Sequence, residues 1–70
     1  MIYVVLSNTD FGKRYHAGFG TCRFTAKADA ELTKEKVVEK YPSAAVHMFK
    51  NMKEAEAYTA SFSNPDIGAI

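Results

Sequence analysis

Ile2-Tyr3-Val4-Val5-Leu6 decides how this chain folds. Its β-branched and aromatic residues predict a strand. Ile2, Val4 and Leu6 fall on one side of it, Tyr3 and Val5 on the other, so both faces are apolar. A strand of that kind sits centrally in a sheet or is covered on both sides. Ser7-Asn8-Thr9-Asp10-Phe11-Gly12 follows with turn formers that close a β-hairpin. The return strand runs from Lys13 to Ala17, with Arg14 and His16 on one face and Lys13, Tyr15 and Ala17 on the other.

Beyond the hairpin, Gly18-Phe19-Gly20 predicts a turn or bulge, and Cys22-Arg23-Phe24 a short extended piece. In Ala26 to Leu32, the residues Ala28, Ala30 and Leu32 alternate with Asp29 and Glu31, which reads as a half-exposed strand although the alanines favour helix. Thr33 then reads as an N-cap for a short helix, Lys34 to Lys40, whose apolar stripe is Val37, Val38 and Tyr41; Pro42 ends it. Ala44 to Phe49 is a second strand, with Val46 and Met48 on one face and Ala45, His47 and Phe49 on the other. Asn51 followed by Glu54 has the spacing of a capping box for a helix from Met52 to about Phe62, burying Met52, Ala55, Tyr58 and Phe62. These elements predict a small α+β fold: an antiparallel sheet of three or four strands with two helices packed on one face. Residues 1–62 form a single domain, and residues 63–70 read as a flexible C-terminal tail.

The chain has 70 residues and a net charge of +1, which allows one domain and no deep substrate cleft. Five Phe and four Tyr within a 47% hydrophobic composition argue against disorder. One cysteine, Cys22, excludes a disulfide framework within the chain and a Cys-rich zinc site. No apolar run reaches the length of a secretory leader core or a membrane span. The expected compartment is the cytoplasm.

Tyr41-Pro42-Ser43-Ala44-Ala45-Val46-His47-Met48-Phe49-Lys50-Asn51-Met52-Lys53-Glu54-Ala55-Glu56-Ala57-Tyr58 resembles part of the N-terminal hybrid-binding domain of eukaryotic-type ribonucleases H, a module also found in caulimovirus viroplasmin. The shared features are an aromatic-Pro pair, a strand ending in Phe, and a helix beginning near an acidic-Ala-x-Ala-aromatic run. Ile2-Tyr3-Val4-Val5 is similar to that module's first strand. The basic, glycine-rich turn and the Trp that precede the family's first helix have no counterpart here. The resemblance implies an RNA/DNA hybrid as ligand, with Lys50 and Lys53 at the positions that meet the nucleic-acid backbone. In size and style the chain is also similar to small phage-encoded accessory or inhibitor proteins.

The residues themselves offer no catalytic set. His16, His47 and Cys22 lack the spacing of metal ligands, and Arg23 beside Cys22 is too common a neighbour to mark a nucleophile. Asp29/Glu31 and Glu35/Glu39 read as solvated faces, and no glycine-rich phosphate loop is present. No cofactor and no metal are expected. The segment that stands out is Phe11, Lys13, Arg14, Tyr15, His16, Phe19 and Arg23. Across residues 1–24 three cations meet the single Asp10, a local charge of +2. Cations interleaved with aromatics suit a protein interface, where Tyr and Arg anchor contacts. They also suit nucleic acid, through phosphate neutralisation and base stacking. The sequence therefore predicts a small non-enzymatic protein that docks on a macromolecular partner, most readily a protein. A nucleic-acid module of the hybrid-binding type is the alternative, no membrane is involved, and a homodimer through an edge strand is open.

Overall fold

The structure is a computed structural model, and it describes residues 1–10, 12–60 and 62–66. Strand β1 spans Ile2–Thr9 and pairs antiparallel with β2, Gly12–His16, matching Val5 with His16 and Thr9 with Gly12. Thr9 Oγ1 donates to the Gly12 carbonyl at 2.7 Å, and Gly12 holds φ +103°, a conformation that excludes most side chains. The chain then reverses again at Gly18 and Thr21, whose backbones exchange bonds of 2.8 and 3.0 Å. Phe19 and Gly20 between them both have positive φ, 53° and 79°, as in the mirror-image turns that suit right-twisted strands. Phe24 next bonds Tyr3 reciprocally at 2.8 Å and so plants its ring in the core.

Helix α1 is Lys27–Val37, which corrects two expectations. Lys27 to Leu32 is helical, with only Ala26 before it extended, and Ala26 rather than Thr33 is the N-cap. The helix buries Ala30, Thr33 and Val37, a spacing of three and then four, while Leu32 stays 48% exposed. The alternation of alanines with acids mimicked a strand, but a run of Ala, Leu, Glu and Lys forms a helix at little entropic cost. Thr33 Oγ1 instead donates to the Asp29 carbonyl one turn back, at 2.9 Å.

Strand β3 is Ala45–Phe49 and lies antiparallel on the other side of β1, matching Ile2 with Phe49 and Leu6 with Ala45. Helix α2 is Met52–Thr59. Its capping box forms: Asn51 Oδ1 accepts from the Glu54 N–H at 2.9 Å, and Glu54 Oε2 accepts from the Lys50 N–H at 3.1 Å. The helix is shorter than expected and buries Ala55 and Thr59, whereas Met52 and Tyr58 remain exposed. Strand β4, Ser63–Asp66, runs parallel to β2. Residues 63–66 are therefore part of the sheet rather than a tail; residues 67–70 lie outside the described residues. Among the described residues the sheet order is β3-β1-β2-β4.

The α+β class, the antiparallel β3-β1-β2 sheet and the two helices match the expected fold. The helices do not share one face, however. Val5 packs with Phe24, Ala30, Val37 and Ala44 on the α1 side. Ile2, Val4 and Leu6 pack with Ala55 on the α2 side, joined by Tyr15, Phe49 and Phe62. The physical reason is the two-sided apolarity of β1, because a central strand with two greasy faces needs a layer on each. No helix among the described residues is long and apolar enough to cross a membrane.

Candidate contact surface

Strand alternation divides the basic–aromatic segment between the two faces of the sheet. Arg14 and His16 point with Val5 and Ser7 to the α1 side; Lys13 and Tyr15 point with Leu6 to the α2 side. His16 is fully buried, which removes it from any contact surface. Its Nε2 lies 2.6 Å from Ser7 Oγ, and its ring centre is 4.9 Å from that of Tyr41. A hydroxyl at that distance from an imidazole is the geometry of a nucleophile and its base. With Ser7 also buried, the pair is out of reach of a substrate, and here it pins β1 to β2. Arg14 is half-buried and helps line a hollow of about 290 Å³ with Thr9, Asp10 and Tyr41.

The α2 side is different. Tyr58, 41% exposed, stands at the centre of a ring cluster. Its centroid is 5.2 Å from Phe49, 5.1 Å from Phe62 and 6.5 Å from His47. Lys13 Nζ sits 5.7 Å from the Tyr58 ring centre and 5.8 Å from that of Phe62, and it reaches the Tyr58 hydroxyl at 3.4 Å. Arg23 lies 6.0 Å from the Tyr15 ring centre and donates to Thr59 Oγ1 at 3.5 Å. Cations at these distances over ring faces gain roughly 0.5–1 kcal/mol each when exposed. The outcome is a surface of Lys13, His47 and Tyr58, all exposed, bedded on half-buried Phe49 and Phe62.

Of the residues singled out from sequence, Lys13, Tyr15 and Arg23 come together on this side, with Tyr15 and Arg23 half-buried. Phe19 is 52% exposed on its turn, and Phe11 lies outside the described residues. Lys50 and Lys53 are exposed at the start of α2. Tyr58 was missed as a surface residue, because the helical stripe assigned it to the core, whereas His47 is exposed on β3. Helix α2 stops at Thr59 and buries only Ala55 and Thr59, which leaves Tyr58 at the surface. Among the described residues no three of His, Cys, Asp and Glu gather to hold a metal ion. No protein-family model matches the chain, and no significant match to it is found among curated proteins or solved structures.

Proposed function

We propose that this chain is a small non-enzymatic docking protein that binds a protein partner through Lys13, His47 and Tyr58, in the manner of a phage-type accessory or inhibitor protein working in the cytoplasm. The observation that carries the reading is the exposed Tyr58 ring, gripped by Lys13 and floored by Phe49 and Phe62. A large ring held in place offers contact area at little loss of conformational freedom, and its hydroxyl offers a directed hydrogen bond. Half-buried Cys22, a free thiol, fits a reducing compartment.

A nucleic-acid reading has its own support. Lys50 and Lys53 are exposed beside the same helix, and Lys13 adds a third cation on the sheet. Two measurements separate the readings. The first compares the parent with Lys13→Ala/Tyr58→Ala, each immobilised and exposed to nuclease-treated lysate of the native host, with captured proteins identified by mass spectrometry. A protein retained by the parent and weakened at least about tenfold, roughly 1.4 kcal/mol, by the double variant is the expected result. Equal retention by a Lys36→Ala control excludes a general charge effect. The second is fluorescence anisotropy with a labelled RNA/DNA hybrid at low and physiological salt. Affinity weaker than micromolar at physiological salt is expected; tight binding that falls with Lys50→Ala/Lys53→Ala replaces the protein partner with a hybrid.

A further inference from the structure

Among the described residues strand β3 is an outer strand of the sheet, and the hydrogen-bond pattern shows which of its backbone groups face outward. Tyr3 gives both its N–H and its carbonyl to Phe24, away from β3. Asn8 gives both of its own to Ser43 Oγ, towards the β3 side, at 2.9 and 3.2 Å. Alternation along β1 then aims Ile2, Val4 and Leu6 at their partners Phe49, His47 and Ala45. Val46 and Met48 therefore present their N–H and carbonyl groups at the free edge. The window ends at both sides, because the Ala44 N–H is bound to the Tyr41 carbonyl at 2.9 Å and the Lys50 N–H to Glu54 Oε2 at 3.1 Å.

We propose that this edge pairs antiparallel with β3 of a second copy of the chain, about a two-fold axis at His47. Direct partners across an antiparallel pair must share a face, so a residue of β3 has to oppose itself. Centring on Val46 would require the Ala44 N–H, and centring on Met48 would require the Lys50 N–H; both are already committed. Centring on His47 matches Val46 of each copy with Met48 of the other, and every donor in the window meets an acceptor. A longer foreign strand would run out of partners at both ends, whereas an identical strand stops where this one stops. The side chains agree. Residues 41–49 contain no Asp, Glu, Lys or Arg, and Lys50 would oppose Ala44, so no like charges meet. Met48, 60% exposed, would cover Val46 of the other copy. The edge also lacks the lysine, proline or bulge that commonly blocks such pairing. In the dimer the two exposed His47 side chains become neighbours on the α2 side.

Cross-linking in a Cys22→Ser background reads the register. Self-opposed residues in a non-hydrogen-bonded pair have Cα atoms about 4.5 Å apart, within disulfide range. His47→Cys should oxidise to a covalent dimer at least about tenfold faster than Ala45→Cys, whose two copies would sit roughly 14 Å apart. Sedimentation equilibrium from micromolar to millimolar should show the parent rising from 7.8 kDa towards twice that mass. Met48→Lys changes an exposed position and should stay monomeric with an unchanged circular dichroism spectrum. A parent that remains monomeric throughout, similar oxidation rates for both cysteines, or a Met48→Lys protein that dimerises like the parent would each overturn the proposal. It does not depend on which partner Tyr58 meets.

Discussion

Gly18 is in place because of distance, since its backbone lies against Thr33 of α1 in the interior. A Cβ built there runs into Thr33 Oγ1 and comes within 3.1 Å of Thr33 Cγ2. Thr33 is fully buried and holds its hydroxyl on the Asp29 carbonyl, so it has nowhere to turn. Gly18→Ala should cost about 1–3 kcal/mol by overpacking. Adding Thr33→Ala removes the obstacle and should recover part of the loss, a coupling that urea melts of the two single variants and the double variant measure. Independent, additive effects would show that the two residues do not touch. Among the described residues Phe24 is the largest fully buried side chain, 1% exposed. Phe24→Ala should cost about 3–5 kcal/mol, comparable with the whole stability of a domain this small. Its circular dichroism at room temperature should be that of a mostly unfolded chain; a cooperative melt near that of the parent would place Phe24 outside the core. Neither role was legible in sequence. The glycine looked like turn punctuation, and Phe24 earns its place through a single bridge to Tyr3, which no local pattern reveals.

Local signatures place β1, β3 and the start of α2, whereas α1 and β4 are not legible in the same way. Strands β1 and β3 carry β-branched alternation, and the face assignment of Val46 and Met48 against Ala45, His47 and Phe49 agrees with the pairing to β1. The cap of α2 was legible because Asn51 and Glu54 act within four residues of each other. Asn51→Ala should cost about 1 kcal/mol and lower Tm by roughly 4–8 °C, whereas Asn51→Asp should keep both. Calorimetry showing no change for Asn51→Ala would mean that the cap is not formed in solution. Helix α1 was misread because a period of two in Ala28, Ala30 and Leu32 coincides with a helix that buries only the middle one. Strand β4 has the turn-like sequence Ser-Asn-Pro-Asp, and it is a strand through the neighbourhood of β2 alone. The same limit applies to the contact surface. Interleaved cations and aromatics were visible, but whether a residue faces α1 or α2 depends on register, which buries His16 and presents Lys13.

At the scale of the whole molecule, the sheet is covered by α1 on one face and α2 on the other, and β4 lies along β2 at one edge. The two proposed contacts use the Tyr58 surface and the edge of β3. Both follow from the central position of β1, which needs a layer on each face and leaves β3 outermost. Amide hydrogen exchange along β3, followed by NMR as protein concentration is raised, tests this arrangement most directly. In dilute solution the amides of His47 and Phe49, bonded to β1, should exchange slowly, and those of Val46 and Met48 should exchange fast. At high concentration the Val46 and Met48 amides should slow, while the other two hardly change. Uniform rates along the strand, or fast exchange at Val46 and Met48 that concentration does not alter, would contradict the account.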